Sequence, residues 1–591
     1  MVTAQRVETT DPSSRRLRVP LFRLIVAAVI ALLFVACQSS GRRTESDSNS
    51  RAVSPTGLSL VVLISIDQLR ADRLDRRLPG GLGWIARSGR VFSNARLEHA
   101  RTETCAGHAT MLTGRQPAAA GLPGNTVVDR ERMEIRYCVE DQSSRGAILG
   151  RRSQPEEGRS PQAFRVSSLG DWLKAEHSDA RVYSVSAKDR AAIALGGQRP
   201  DAAFWLDRDG TGRMTSSRYY LKELPDWVGT WTVEKILAPV PEVWRHASGD
   251  PPNGARPDAF VGESTRWSMT SPHPVKPEGD TVGSIDAFLA SPFLDDRTLA
   301  FAQELVAHED LGGRGGIDLL ALSLSGTDFI GHSYGPHSQE ARDALLRLDR
   351  ALASFLDFLR DRLGPEHFMV VLTSDHGVLP LPEWGHQQGE GCPLPGGRIH
   401  PAEFYEGLSV ELDEIFGPGP EQADDIGPSD WFLRNGYEIF FRPETLARNG
   451  ASIDRVTAVA EQWLAQRPGV ARVWNGADLQ HGKGNEPMRT LYRNSSFEAG
   501  AGADLIIEPA YGCLFTPWPA GTSHGSPHDY DRDVPLVFLG PGIDPGTVAG
   551  AAAPVDIAPT LAREMGITAP PELDGSPLLL WEEDSPRSPD H

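Results

Sequence analysis

Four short apolar runs, spread over most of the chain, each stand beside aspartate or histidine residues. The runs are Leu60–Ile66, Leu319–Leu324, Met369–Ser374 and Val534–Leu539. The polar residues beside them are Asp67, Asp328, His332, Asp375, His376 and His524. Short apolar runs with helical segments between them predict buried parallel strands of an α/β sheet. Because ligands bind outside the carboxyl ends of such strands, we expect these side chains to collect at one edge.

Helical periodicity precedes one of these runs. Between Leu345 and Leu363, leucine and phenylalanine recur at steps of three and four residues, and Gly364-Pro365 ends the predicted helix. The helix leads directly into the strand before Asp375. A second predicted strand, Val182–Ser186, ends just before Lys188 and Arg190. The order of helices and strands predicts a doubly wound, mostly parallel α/β sheet.

Two segments interrupt this pattern, as expected for a chain of 591 residues. Residues 198–297 are rich in Pro, Gly and Trp, and we interpret them either as an insertion that caps the sheet edge or as a lateral decoration. Residues 402–517 contain a strand at Tyr437–Phe441, a helix with Val456 and Leu464 on one face, and a strand at Val470–Trp474. This order predicts a small α+β subdomain inside a catalytic domain of residues 57–591.

The N-terminus differs from the rest of the chain. Arginines precede an apolar stretch from Leu24 to Ala36, which is too short to span a membrane comfortably but suits a signal peptide. Cys37 after Ala36 resembles a bacterial lipoprotein cleavage site, although Phe34 is less usual than leucine there. We therefore expect a signal peptide and lipobox over residues 1–37, a flexible tether over 38–56, and a lipid-anchored, periplasm-facing or outer-surface protein. An uncleaved signal anchor or an ordinary cleaved signal is the alternative.

The charge of the chain limits the kinds of partner that it is expected to bind. The formal net charge is −20, and the N-terminal segment is basic, so its removal makes the chain more acidic. A nucleic-acid polymer is not an expected partner, because there is no basic footprint to hold it. A small anionic substrate remains compatible with the net charge, since metals and a few local cations outweigh a distant net charge.

Four cysteines remain after the predicted signal peptide and lipobox: Cys105, Cys138, Cys392 and Cys513. They allow up to two disulfides in three pairings, and the sequence does not choose among these pairings.

These ordered motifs, from Leu58 to Leu579, resemble the alkaline phosphatase superfamily, which includes sulfatases and nucleotide pyrophosphatase/phosphodiesterases. The arrangement is most similar to bacterial phosphate-irrepressible alkaline phosphatases with a threonine nucleophile. The resemblance implies two divalent metals, one held by Asp67, Asp375 and His376 and the other by Asp328, His332 and His524. Mixed aspartate and histidine ligation favours zinc over manganese or iron. Taken alone, an aspartate at a strand end such as Asp67 is also compatible with a helix cap.

The same resemblance identifies a nucleophile. Thr104-Cys105-Ala106-Gly107-His108 matches the family's Thr-x-Pro-x-His, with Ala106 where proline is common. A threonine hydroxyl needs a metal to become an alkoxide, so Thr104 is predicted to be both nucleophile and metal ligand. The following residues look helical, which would put Thr104 at a helix N-terminus facing the phosphate. A plain N-cap threonine is the alternative. Sulfatases carry Cys/Ser-x-Pro-x-Arg, and no arginine follows Cys105 at that spacing.

By resemblance, Asn125, Lys188 and Arg190 hold the phosphoryl oxygens, Arg190 as a two-pronged donor and Lys188 as a point charge. Taken alone, Asn125 also suits a turn and Lys188 a solvated surface. The full set implies hydrolysis of small phosphate monoesters through a phosphothreonine intermediate. A phosphodiesterase on the same scaffold is the alternative. An inactive envelope lipoprotein that binds a partner through the Trp-rich segment is a further one, although such a protein need not keep six ligands and a nucleophile. The sequence does not indicate an oligomeric state.

Overall fold

A computed structural model of the protein describes residues 57–151, 157–246, 255–276, 281–417, 431–481, 486–497 and 501–582. The predicted signal peptide, the lipobox with Cys37 and the tether lie outside these residues. Among the helices of the described segments, none is both long and apolar enough to cross a membrane.

The strands are β1 Leu60–Ile66, β2 Arg90–Ala95, β3 Thr126–Asp129, β4 Glu134–Tyr137, β5 Val182–Ser186, β6 Ala202–Leu206, β7 Met214–Thr215, β8 Val243–Trp244, β9 His273–Pro274, β10 Asp318–Leu324, β11 Phe368–Thr373, β12 Arg398–Ile399, β13 Phe432–Asn435, β14 Glu438–Phe441, β15 Val470–Asn475, β16 Leu505–Pro509, β17 Leu514–Phe515, β18 Leu536–Leu539 and β19 Gly546–Ala552. The helices are α1 Gly81–Ser88, α2 Thr104–Thr113, α3 Pro117–Ala120, α4 Leu169–Glu176, α5 Asp189–Gly196, α6 Asp226–Gly229, α7 Val233–Leu237, α8 Thr281–Leu289, α9 Phe293–His308, α10 Gly326–Tyr334, α11 Gln339–Leu363, α12 Pro382–Gln388, α13 Pro401–Phe416, α14 Pro443–Arg448, α15 Ile453–Leu464, α16 Gly476–His481, α17 Pro487–Ser495, α18 Asp529–Arg532 and α19 Ile557–Met565.

A nine-stranded sheet organises the described residues, in the order β19-β2-β18-β11-β1-β10-β5-β6-β7. The five central strands β11, β1, β10, β5 and β6 are parallel to one another. These strands are apolar at nearly every position because helices cover both faces of the sheet. The predicted class, an α/β fold with a mostly parallel sheet, is confirmed.

The side chains of β1 alternate between the two faces of the central sheet and contribute to a core on each face. Leu60, Val62, Ile64 and Ile66 point into a core cluster that includes Leu348, Leu352 and Phe355 of α11. Val61 and Leu63 point into a second cluster that includes Ile557 and Leu561 of α19. Successive side chains of a strand lie on opposite faces, so one apolar run builds two cores. The predicted helix that ends before Gly364 is confirmed as α11, whose end is marked by Gly364 at φ 89°.

One of the four predicted parallel strands is antiparallel. Strand β18 runs against both β11 and β2, and Leu536 at its start pairs with Thr373 at the end of β11. The prediction of a parallel strand was wrong because an apolar run does not encode strand direction. Because β18 runs antiparallel to the central strands, the segment that precedes it lies at the edge of the sheet where those strands end. His524 reaches the other ligands for this reason.

The predicted boundaries of the first insertion need correction. Strand β6, Ala202–Leu206, pairs with β5 inside the nine-stranded sheet, so the sheet continues beyond residue 198. Trp231 and Trp244 belong to the same core cluster as α11. Farther along, the Ser264 amide donates to the carbonyl of Ser333, next to His332. The segment therefore contributes to the core and also borders the predicted metal edge.

The second predicted insertion contains its own antiparallel sheet, in the order β13-β14-β16-β15. Tyr405 and Leu408 of α13 and Val456 and Leu464 of α15 cover one face of it.

The structure contains the disulfides Cys105–Cys138 and Cys392–Cys513. This is one of the three pairings that the sequence allows.

Candidate active site

The six predicted metal ligands come together at the edge where the central strands end. Asp67 follows β1, Asp328 and His332 lie on α10 after β10, and the Asp375-His376 pair follows β11. Candidate ligand atoms lie within 4.8 Å of one another in two groups that share Asp328. The groups are Asp328 with His332 and His524, and Asp328 with Asp67 and His376. Asp375 joins them, with Oδ2 at 3.3 Å from Nε2 of His376.

The three histidines are fixed in the same tautomer. Each Nδ1 lies at hydrogen-bond distance from a backbone carbonyl: His332 from Thr522 at 2.8 Å, His376 from Gly377 at 2.9 Å and His524 from Thr102 at 2.7 Å. A carbonyl oxygen only accepts, so in each neutral ring the proton lies on Nδ1 and Nε2 keeps its lone pair. Each Nε2 lone pair then faces the carboxylate cluster, where a metal ion could bind both, the arrangement typical of metal-binding histidines.

Buried acceptors without donors fit a divalent cation. Asp67 Oδ1, Asp375 Oδ2 and His376 Nε2 are buried and make no hydrogen bond. Burial, together with neighbouring Asp375, raises the pKa of Asp67 to about 6. Burial and the stacked His376 ring, with centroids 3.6 Å apart, hold the pKa of His524 well below its usual value. Carboxylates and neutral imidazoles are the ligands of zinc, so the residues present fit this metal.

Lys188 lies among the predicted ligands rather than beside Thr104. Its ammonium is buried, 2.6 Å from Asp67 Oδ2 and 2.5 Å from Asp328 Oδ2. Although burial alone would raise it, His332 and Lys188 hold the pKa of Asp328 well below its usual value. The pairing shows that these carboxylates attract a cation. Contact between Lys188 and a phosphoryl group stays a prediction.

Thr104 is the first residue of α2, as predicted, and the whole helix is buried. Arg190 Nη2 lies 3.4 Å from the Thr104 hydroxyl. Gly107 lets the helix approach the end of β11, because a Cβ atom at this position would lie 2.0 Å from the Asp375 carbonyl oxygen. The hydroxyl thus combines a helix N-terminus, which favours anions, with a guanidinium that can hold them.

Asn125 is held in place by the residues on either side of Thr104. Its side-chain Oδ1 accepts from the backbone amide of Cys105 at 3.0 Å, and its backbone amide donates to Glu103 Oε2 at 2.6 Å. Because Oδ1 is engaged, the side-chain NH₂ group is the part of Asn125 that can donate to an anion near Thr104.

Sequence reasoning did not identify several residues that hold the site. Gln68 has a backbone φ of 69°. Its side-chain Nε2 donates to Asp328 Oδ1 at 2.7 Å, and its backbone amide donates to Asp375 Oδ1 at 3.2 Å. His108 Nδ1 lies 2.9 Å from the Thr104 carbonyl and 3.2 Å from Asp375 Oδ2. The Tyr137 hydroxyl lies 3.5 Å from Arg190 Nη1. Adjacency to Asp67 was a signal for Gln68 and the nucleophile motif was one for His108, whereas none pointed to Tyr137.

A cavity of about 240 Å³ adjoins His524, between the site and the antiparallel sheet. Its other lining residues include Tyr405, Arg434, Tyr437 and Phe515. The cavity offers room for a small molecule beside His524.

Comparison with known proteins gives a consistent result. The family model of type I phosphodiesterase / nucleotide pyrophosphatase matches residues 61–390. A protein named calcium-transporting ATPase from Myroides odoratus is 30% identical over 88% of this chain and 94% of its own. Alkaline phosphatase PhoK from a Sphingomonas species is also 30% identical, over 94% of this chain and 97% of its own.

Among solved structures, wild-type alkaline phosphatase PafA matches with a TM-score of 0.79 and 27% identity, over 88% of this chain and 98% of its own. A further crystal structure of PafA carries substitutions of one threonine, one asparagine, one lysine and one arginine.

Proposed function

Because the chain belongs to the type I phosphodiesterase / nucleotide pyrophosphatase family, within the alkaline phosphatase superfamily, we propose that it hydrolyses phosphate monoesters by attack of Thr104 on phosphorus. The observation that carries this proposal is the position of the Thr104 hydroxyl. It lies at the start of a buried helix, 3.4 Å from Arg190, and the same helix packs through Gly107 against Asp375 of the ligand cluster. The alkaline phosphatase names of PhoK and PafA support the same reading.

The ligand set would hold two divalent ions. Asp67, Asp375 and His376 would bind one, and Asp328, His332 and His524 the other, with zinc favoured by the mixture of imidazole and carboxylate. When bound, the ions would supply Lewis acidity at the Thr104 hydroxyl and at the phosphoryl oxygens. Gln68 orients Asp328, and the carbonyls that hold Nδ1 of the three histidines would leave each Nε2 free to bind an ion.

The reaction proceeds in two displacements. Thr104 gives its proton to solvent, and its Oγ1 forms a bond to phosphorus while the bond from phosphorus to the ester oxygen breaks. The leaving oxygen takes a proton from solvent, so that an alcohol leaves and a phosphothreonine remains. Water then attacks this phosphorus, and the bond to Oγ1 breaks to release phosphate and regenerate Thr104. The N-terminus of α2, the Arg190 guanidinium and the side-chain NH₂ group of Asn125 stabilise the phosphoryl oxygens in both steps.

Arg190 gives the test of monoester against diester specificity. A monoester presents three terminal oxygens with close to two negative charges, whereas a diester replaces one oxygen with an uncharged link. Arg190→Ala should therefore lower kcat/KM for a monoester about 10²–10³-fold and leave a diester with the same leaving group nearly unaffected. Arg145, an arginine stacked on Tyr219, provides a matched control, and Arg145→Ala should change neither rate.

A diesterase on the same scaffold is the second candidate function, favoured by the description of the matching family model. The same assay separates the two. If the wild type prefers the diester, or if Arg190→Ala lowers both activities equally, the diesterase proposal replaces the monoesterase.

We also propose that the protein is attached to the bacterial envelope through lipid on Cys37. The basic and apolar segment before Cys37 supports this, as does the polar tether after it. Cys37→Ser should yield soluble or unprocessed protein in membrane fractionation and lipid-labelling experiments. A Cys37→Ser chain that is still processed there and still labelled with lipid would contradict the anchor.

A further inference from the structure

A second cluster of metal-ligating side chains lies outside the candidate active site. His246 follows strand β8, His273 opens strand β9, and Glu340 lies in the first turn of α11. Candidate ligand atoms of the three residues lie within 4.8 Å of one another. Glu340 is 0% exposed and His273 is 1% exposed, so the cluster is inside the protein. None of the three residues takes part in the proposed reaction.

The atoms that face one another in this cluster are acceptors without donors. Glu340 Oε1 lies 3.3 Å from His273 Nε2 and 3.5 Å from His246 Nε2. Both oxygens of Glu340 and both Nε2 atoms are buried and make no hydrogen bond. Leaving several buried polar atoms unpaired is costly, so a group that satisfies them together is expected there.

The surroundings fix the tautomer of His273. Its Nδ1 lies 3.1 Å from the Tyr334 hydroxyl oxygen, and that hydroxyl lies 3.0 Å from the Ser268 carbonyl. Because the carbonyl only accepts, the Tyr334 O–H donates to Ser268 and its oxygen accepts from Nδ1–H of His273. In the neutral ring, the Nε2 lone pair then faces the Glu340 carboxylate, and two acceptors in this position repel each other.

A single divalent cation removes this conflict more completely than a proton does. A proton on His273 would satisfy one imidazole and leave His246 Nε2 unpaired, whereas one metal ion can bind both imidazoles and the carboxylate at once. Two histidines with one carboxylate form a ligand set that suits zinc.

We propose that His246, His273 and Glu340 bind a third divalent metal ion, most suitably Zn²⁺, in a structural site separate from the active site. The ion joins the Trp-rich segment, which contributes both histidines, to the N-terminus of α11. It also lies beside Tyr334, the last residue of the helix that carries Asp328 and His332. Metal binding at this position stabilises the folded chain, because the unfolded chain does not bring the three ligands together.

Metal analysis of the full-length protein tests this inference. Chelated protein is reloaded with Zn²⁺, dialysed, and analysed by mass spectrometry for bound metal. Wild type should retain about three equivalents per chain, and Glu340→Gln and His246→Gln about two each, because a ligand of the third site is lost. Both variants should keep kcat within about twofold of wild type and unfold at a lower Tm. Glu366→Gln, at an exposed glutamate that precedes β11, is the control and should retain the wild-type metal content.

Two other outcomes would overturn the inference. Unchanged metal content in a folded Glu340→Gln protein would mean that the cluster is a histidine–carboxylate ion pair. Loss of metal together with turnover would mean that the residues support the active site and hold no separate ion. If Glu340→Gln fails to fold, His246→Gln decides, because His246 lies at the partly exposed side of the cluster. The metal count does not depend on the substrate, so it separates this inference from the monoesterase proposal.

Discussion

Two clusters in this protein share their local chemistry and differ in what surrounds them. In both clusters the Nε2 atoms of histidines face carboxylates. Backbone carbonyls hold Nδ1 of the sheet-edge histidines, and the Tyr334 hydroxyl holds Nδ1 of His273 in the second cluster. The sheet-edge cluster adjoins the N-terminus of α2, where the Thr104 hydroxyl lies 3.4 Å from the Arg190 guanidinium. The comparison teaches that ligand geometry indicates a metal ion, whereas catalysis also requires a nucleophile and a place for negative charge.

The two clusters also differ in how the chain delivers their ligands. The sheet-edge ligands follow the ends of β1, β10 and β11 or precede β18, so a rigid sheet positions them. His246 and His273 come from a two-stranded sheet and meet a helix end. Rigid elements hold catalytic groups more accurately than loops, which suits the sheet edge for chemistry and the second cluster for stability.

Removing a ligand at the sheet edge should have the largest effect. His524→Ala should lower bound metal by about one equivalent and bring turnover close to background, because in the proposed mechanism both metals would act on the same phosphoryl group. Asp67→Ala should do the same for the other ion. Metal analysis and steady-state rates measure both effects.

His528 is a matched control for His524, since its Nε2 lies 2.9 Å from the Pro509 carbonyl, away from the ligands. His528→Ala should retain metal and turnover. Full metal content in both His524→Ala and Asp67→Ala would show that the ligand assignment is wrong.

Removing the nucleophile should separate chemistry from metal binding. Thr104→Ala should retain its metal and lose about 10³–10⁵-fold in kcat, because only the attacking oxygen is gone. Thr110→Ala, in the same buried helix, removes a hydroxyl that bonds to the Gly107 carbonyl and should keep most activity. If Thr104→Ala lost metal and activity in parallel, the distinction between ligand and nucleophile at this edge would fail.

The smallest predicted effect concerns a carboxylate next to the edge, Asp295. Burial, with smaller contributions from Asp296 and Asp67, raises its pKa to about 7, although it accepts from the Gly326 amide at 2.9 Å. The folded state therefore binds more protons than the unfolded state between about pH 4 and pH 7, so stability falls as the pH rises through this window. Asp295→Asn removes this penalty and should gain about 1–4 kcal/mol in free energy of unfolding over wild type above pH 7.

Urea unfolding at a series of pH values checks this prediction. The advantage of Asp295→Asn should be small near pH 4, grow to about pH 7 and then level off. Asp361→Asn, at an exposed helix position, should show no such trend. A constant difference across the series would mean that Asp295 does not titrate in the folded protein as stated.

Much of the fold and of the site follows from sequence pattern. The apolar runs before Asp67, Asp328 and Asp375 predict buried strands, and parallel strands bring their carboxyl ends together. The direction of β18 did not follow, because an apolar run of this length suits either orientation. Strand β6 was assigned to an insertion because its neighbours along the chain are rich in turn residues.

Other features depend on contacts between distant segments. The sequence does not show that Lys188 pairs with Asp67 and Asp328, since these residues lie on three different strand ends. The second cluster was equally hidden, because His246 and His273 precede Glu340 by more than sixty residues in a segment without clear periodicity. Its chemistry depends on packing that brings the Trp-rich segment against α11.

Trapping the covalent intermediate tests the central claim most directly. Wild-type protein turning over a phosphate monoester is quenched in acid, digested, and analysed by mass spectrometry for phosphorylated residues. The account predicts a phosphoryl group on Thr104 in wild type and none in Thr104→Ala, since a double displacement must pass through this residue. A phosphoryl group on another residue, present equally in wild type and in Thr104→Ala, would contradict it.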